Sequence, residues 1–187
     1  MVSLKTPICN FGWIAKDFQL PGVDNEHWNL EKIKGKNGLV LMFICNHCPY
    51  VKAILPRLVE DIHGLKKFGI NTIAISSNDV INYPEDSFEN MKLLSEKNQF
   101  EFPYVYDGNQ DVAKAYDAIC TPDFFGFNAD LSLQYRGRFD STGRGVPSPD
   151  NRRDLFEAMK LVATTQKGPV NQDASIGCSI KWKEENI

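Results

Sequence analysis

One run in the chain has no polar position: Leu39-Val40-Leu41-Met42-Phe43-Ile44. Cys45-Asn46-His47-Cys48-Pro49-Tyr50 follows it directly. A short apolar run without alternation predicts a strand buried on both faces, as in a sheet covered by helices on either side. The period then changes. Val51, Leu55, Leu58, Ile62 and Leu65 make one apolar stripe at helical spacing, which predicts a helix over about Pro49 to Lys67. Pro56 lies inside it and predicts a kink, because an interior proline removes a hydrogen bond. Gly69 closes the helix, and Ile70 to Ser77 is again apolar and β-branched. Strand, helix and strand together predict a right-handed βαβ unit.

Upstream, Asp17 to Gly22 and His27 to Leu30 alternate around a turn and predict a β-hairpin ahead of the central strand. Downstream, the pattern predicts a helix from about Pro84–Asp86 to Lys97. A short strand over Phe102–Tyr106 and a short helix over Gln110–Ala118 come next. Asp123–Phe127 reads as a strand with Leu131–Tyr135 as its antiparallel partner across Asn128-Ala129-Asp130. Asp140 to Pro149 is rich in Gly, Ser and Pro and reads as a surface loop. Asp150 is expected to cap a last helix with the stripe Leu155, Met159 and Val162. From Gly168 no period is visible. The expected architecture is α/β, one domain over residues 1–187, with a core of about 18–166 and a tail of 167–187.

Composition narrows the function. A hydrophobic content of 42% and a charged content of 24% suit a globular domain rather than a disordered chain. The net charge of −3 and the lack of a basic block argue against a nucleic-acid partner. No apolar run approaches the roughly 18 residues of a membrane span. The first ten residues lack the apolar core of a signal peptide, so a cytoplasmic location is expected. Five cysteines is an odd number without scaffold spacing, and in a reducing compartment thiols are the default state.

The chemistry concentrates where strand meets helix. The thiolate is the reactive form of cysteine, and a helix N-terminus favours an anion. Cys45, at or just before the helix start, is expected to be the nucleophile with a lowered pKa. Cys48, one turn in, is expected to resolve a mixed disulfide. Asn46 and His47, between them, are expected to tune the pair, a protonated His47 favouring the thiolate. No second Cys-x-x-Cys accompanies the pair, so a four-ligand zinc site is not expected.

Strand, Cys-x-x-Cys and helix together resemble the thioredoxin superfamily. The wider context, Asn46-His47-Cys48-Pro49-Tyr50-Val51 with Cys120-Thr121-Pro122-Asp123-Phe124-Phe125 and Gly177-Cys178-Ser179-Ile180-Lys181-Trp182, is similar to a redoxin, AhpC/TSA-type peroxiredoxin-like group. The resemblance spans about Phe18 to Trp182. It implies a thioredoxin-like three-layer fold, a central mixed sheet flanked by helices, with the N-terminal hairpin as an extension. It also implies that Pro122 is cis and faces the cysteines. Thr121 would then offer its backbone to an extended substrate. The implied activity is thiol–disulfide oxidoreduction through a Cys45–Cys48 disulfide, with no organic cofactor. The implied partners are protein or small-molecule thiols and disulfides and an upstream dithiol reductant.

Two departures from the resemblance matter. A peroxidatic cysteine would sit in Pro-x-x-x-Thr-x-x-Cys, but Gly38 and Met42 precede Cys45, and Leu41 and Cys45 precede Cys48. The central strand holds no acid to take the proton of Cys48, which leaves Asp79 or a water for that step. Cys120 and Cys178 are further candidate redox thiols, each with a packing role as the alternative. A thiol peroxidase, or a metal-binding module using Cys45, Cys48 and His47 or Cys120, are the alternative functions.

Overall fold

The structure is a computed structural model describing residues 3–186. The apolar run forms β4 (Gly38–Phe43), after β1 (Ser3–Lys5), β2 (Leu20–Pro21), β3 (His27–Trp28) and the short α1 (Leu30–Ile33). Then come α2 (Pro49–Lys66), β5 (Ile70–Ser76), α3 (Phe88–Lys97), β6 (Tyr104–Tyr106), α4 (Asp111–Ala115), β7 (Cys120–Thr121) and β8 (Asp123–Asn128). β9 (Leu133–Gly137), α5 (Asp154–Thr165) and β10 (Ile176–Ser179) complete the order.

β4 is central in a five-stranded sheet ordered β6-β5-β4-β8-β9, parallel to β5 and antiparallel to β8. Every residue of β4 is buried, as an apolar run without alternation requires. Val40 and Met42 face one core with Leu58 and Leu65 of α2 and Met159 and Val162 of α5. Leu39, Leu41 and Phe43 face the other, with Ile33 of α1, Ala113 of α4 and Phe18. The result is a mixed sheet between two helical layers. The hairpin forms as β2 and β3, with Leu20 opposite Trp28. Among the described residues, no helix is long and apolar enough to cross a membrane.

Some boundaries differ from the sequence reading. α2 runs unbroken through Pro56. β9 starts at Leu133 because Leu131 turns with φ +57°. α5 begins at Asp154 after Arg153, and Asp150 does not cap it. The tail is not structureless: β10 lies between β1 and β7 in a three-stranded antiparallel sheet.

The strand pair β8–β9 carries a buried ion pair. Arg136 Nη2 lies 2.9 Å from Asp123 Oδ2 and also donates to the Asp117 carbonyl. Burial raises the Asp123 pKa to about 6, against the pull of Arg136. Arg136→Ala would leave the carboxylate unpaired and should cost about 3–5 kcal/mol at pH 8. An acid whose folded pKa is raised loses its stabilising contribution as pH rises through that value. The loss should therefore shrink at pH 5, where Asp123 takes up a proton, and urea unfolding at both pH values measures this.

Candidate functional site

The β4–β8 register builds the site. Phe43 pairs with Asp123, so the same antiparallel register carried two residues on sets Cys45 beside Thr121. Cys45 Sγ lies 3.3 Å from Thr121 Oγ1. The Thr121–Pro122 peptide is cis. Cys48 Sγ lies 3.1 Å from the Thr121 carbonyl oxygen, which accepts its proton when it has one.

α2 starts at Pro49, where the apolar stripe placed it, so Cys45 lies ahead of the helix rather than at its start. Pro49 is the first helical residue and Cys48 the N-cap, extended at φ −64° and ψ 121°. A proline suits the first helical position, where its missing N–H costs nothing, and it holds the preceding residue extended. The positive end of the helix therefore faces Cys48, not Cys45.

The two thiols share a hydrogen bond and titrate as a unit. Cys48 is the lowered member. The Cys45 thiol donates to it, and Cys178 and the Val51 N–H add to the effect against the cost of burial. Cys45 is the raised member, through its bond to Cys48, its burial and the nearby Asp86 carboxylate. This reverses the order expected from sequence, chiefly because the Cys45 thiol donates to Cys48, with the Val51 N–H at the helix start adding to it.

Asp86 organises the loop between the cysteines. Its side chain is wholly buried. Oδ1 accepts the backbone N–H groups of Asn46 and His47 at 2.8 and 3.1 Å. Oδ2 meets His47 Nδ1 at 2.6 Å and accepts from Asn78 Nδ2 at 2.7 Å. Asn46 donates to the Glu85 carbonyl and accepts from the buried Tyr104 hydroxyl. The His47 ring stacks on Tyr83. Asn46 and His47 thus hold the loop through contacts with Asp86 and its neighbours. Asp79, the acid nominated for proton transfer, is instead engaged locally by Asn82 and the Ile81 N–H. Asp86 was missed because its sequence context, Tyr83-Pro84-Glu85-Asp86-Ser87, reads only as a helix start.

The other nominated thiols separate. Cys120 is buried, its thiol reaches the Pro122 carbonyl at 3.8 Å, and burial pushes its pKa far up. Cys178 on β10 is opposite Thr121 in the strand register, with its Sγ 3.0 Å from Cys48 Sγ. Cys45, Cys48 and Cys178 are 1%, 0% and 1% exposed, so all three sulfurs sit under cover. A cleft of about 260 Å³ opens beside Pro122, between Tyr50, Phe139, Arg144 and Ile176. A larger cleft of about 690 Å³, lined by Cys9, Phe11, Arg152 and Gln172, shares no residue with the sulfur cluster.

Cys45, His47 and Asp86 each offer a donor within 4.8 Å of the others. Four hydrogen bonds already saturate the Asp86 carboxylate, so a metal there would have to displace them. The donor set fits a hydrogen-bonded loop better than a metal site.

The profile of the AhpC/TSA family matches residues 11–139. The chain belongs to the AhpC/TSA family. It is similar to a conserved protein of Geobacillus kaustophilus described as uncharacterized, at 42% identity and TM-score 0.93, covering 98% of each chain. It is also similar to a hypothetical protein of Sinorhizobium meliloti, at 34% identity and TM-score 0.87, covering 96% of this chain and 98% of that one. The thioredoxin domain of a thiol-disulfide oxidoreductase from Bacteroides vulgatus shares the fold, at 17% identity and TM-score 0.57, over 67% of this chain and 86% of that one. No curated protein matches the chain. The fold is thioredoxin-like, and the AhpC/TSA chain is a thioredoxin-like redox protein of the oxidoreductase or peroxidase kind.

Replacing Asp86 tests its hold on the loop and its field. Asp86→Asn keeps the shape but presents an amide to donors that need a carboxylate, and should cost about 2–3 kcal/mol. It also removes the charge that pushes Cys45 up, so the second ionisation of the pair should move to lower pH. Alkylation of Cys45 against pH, resolved by peptide mass, measures the shift.

Proposed function

We propose that this protein is a thiol–disulfide oxidoreductase whose Cys45 and Cys48 pass between dithiol and disulfide. The observation that carries the reading is that both sulfurs of the Cys-x-x-Cys pair meet Thr121 ahead of the cis Pro122, Cys45 Sγ 3.3 Å from its hydroxyl and Cys48 Sγ 3.1 Å from its carbonyl oxygen. Cys48 holds the charge at rest. Passing the Cys45 proton to Cys48 makes Cys45 the thiolate that attacks a substrate disulfide. The departing substrate thiolate takes the proton back from Cys48. Cys48 then attacks the Cys45 sulfur of the mixed disulfide, and the second substrate thiolate leaves. Two electrons move to the substrate and the pair ends as a disulfide. A low resting pKa at Cys48 supports this sequence without a buried acid in β4.

The reaction uses no organic cofactor and no metal in this reading. Electrons return from a dithiol protein or a small thiol, in the reducing setting of the cytoplasm. The cleft beside Pro122, with Tyr50 and Arg144 on its rim, suits the approach of a peptide or a small disulfide. Family membership favours thiol peroxidase as a second reading, against which stands the missing Pro-x-x-x-Thr-x-x-Cys context.

The test is equilibration with glutathione buffers, acid quench and peptide mapping. A two-electron transition at Cys45 and Cys48 is expected, and Cys48→Ser should hold glutathione on Cys45. A pair that never forms a disulfide, while hydrogen peroxide consumes its thiols far faster than free cysteine, would overturn the reading in favour of the peroxidase. The lowered member also sets a pH dependence. Below the usual thiol range a free cysteine loses about tenfold in thiolate per pH unit. The wild-type rate with glutathione disulfide should fall less than that between pH 8 and 6, and Cys48→Ser should restore the steep fall.

A further inference from the structure

Thr121 has one backbone edge to offer, and this chain occupies it itself. The Ile180 N–H donates to the Ile119 carbonyl at 3.0 Å. In an antiparallel ladder, bonded pairs recur every second residue, so the next one is Thr121 with Cys178. β10 therefore lies where an extended substrate strand would pair, with a cysteine opposite the residue that would bind it. The approach is close. A side chain added at Gly177 would bring its first carbon to 2.1 Å from the Thr121 carbonyl oxygen, so this position admits no more than glycine.

The strand is held at several points. Ser175 Oγ donates to the Pro122 carbonyl at 2.8 Å, and Thr6 and Ser175 exchange hydrogen bonds. The Lys181 N–H donates to Asn78 Oδ1 at 2.9 Å, and Asn78 also bonds Asp86. Cys178 Sγ is thereby kept 3.0 Å from Cys48 Sγ, about 1 Å beyond a disulfide bond length. Cys48 thus has a thiol neighbour on either side, Cys45 within its own loop and Cys178 on β10.

We propose that Cys178 is a third redox thiol: β10 acts as a built-in substrate strand and moves the disulfide of the pair from Cys45–Cys48 to Cys48–Cys178. The inference rests on the dithiol reading, since it needs that disulfide as its starting oxidant. The Cys178 sulfur attacks Cys48 Sγ, the Cys45–Cys48 bond breaks, and the Cys48–Cys178 bond forms. The Cys178 proton ends on the freed Cys45. One disulfide and one thiol are present before and after, so no external oxidant or reductant enters. Burial and the Cys48 charge hold the Cys178 thiol protonated in the reduced protein. Oxidation of the pair removes that charge, so the exchange is favoured only once a disulfide is there to receive it. Its product ties β10 to the start of α2 and returns Cys45 to the thiol state in an oxidised protein.

The experiment uses the full chain in a Cys9→Ser, Cys120→Ser background. Wild type at the other three cysteines, Cys45→Ser, Cys178→Ser and Gly177→Ala are each treated with glutathione disulfide. Samples are acid-quenched, capped with N-ethylmaleimide and mapped without reduction. With all three cysteines present, both linkages are expected. Cys45→Ser should give mostly Cys48–Cys178, and Cys178→Ser only Cys45–Cys48. Gly177→Ala, which drives β10 off Thr121, should lose Cys48–Cys178 and keep Cys45–Cys48. The inference is overturned if Cys45→Ser keeps both remaining thiols free while the three-cysteine protein and Cys178→Ser form only Cys45–Cys48; the dithiol reading then stands. Absence of Cys45–Cys48 from both the three-cysteine protein and Cys178→Ser would overturn the dithiol reading, and the exchange with it.

Discussion

Three sulfur atoms are kept out of water in a space that can stabilise one negative charge. Much of the site follows from that constraint. Cys48 takes the charge because the start of α2 and two neighbouring thiols can donate to it. Cys45 stays protonated because its thiol is committed to Cys48, it is buried, and the Asp86 carboxylate lies near it. Asp86 cannot be dispensed with, because its oxygens fix the backbone of Asn46 and His47 and so the separation of the two cysteines. The negative charge that shapes the loop thus also adds to the bias against ionising Cys45. Scaffold and electrostatics are one device here.

The fold was legible where its cause is local. β4 shows itself as an apolar run, α2 as a 3.6-residue stripe and the β8–β9 turn as Asn128-Ala129-Asp130, because each answers to its own residues. The Cys-x-x-Cys pair was legible from its spacing at the strand–helix junction, and the cis Thr121–Pro122 step only through the resemblance to thioredoxin-like proteins. The rest depends on pairing across distance. Asp86 reaches residues 39 and 40 positions away, and nothing in Pro84-Glu85-Asp86 announces it. β10 is four residues with a glycine among them, too short to show a period, and it is a strand only because β1 and β7 flank it. The start of α2 was legible at Pro49, but which thiol its N–H groups favour was not, because that depends on how the loop between the cysteines is held.

The relation to known structures divides in the same way. The match to the Bacteroides vulgatus thioredoxin domain covers 67% of this chain, whereas the Geobacillus kaustophilus protein matches 98% of it. A fold shared at 17% identity fixes the sheet and its helices. It does not speak for the third sulfur. In this chain the third sulfur arrives on a strand from the far end of the sequence, and it is the burial of that strand that closes the site.

The sheet β1-β10-β7 has a mechanical side. Ser3 to Lys5 grip the outer edge of β10, the strand that carries Cys178, in the register Ser3–Cys178, Leu4–Gly177 and Lys5–Ile176. That grip is a latch. Loosening it frees the outer edge of β10 and weakens the shield over Cys48 without touching a cysteine. Hydrogen exchange at the Leu4 and Gly177 amides reads the latch directly.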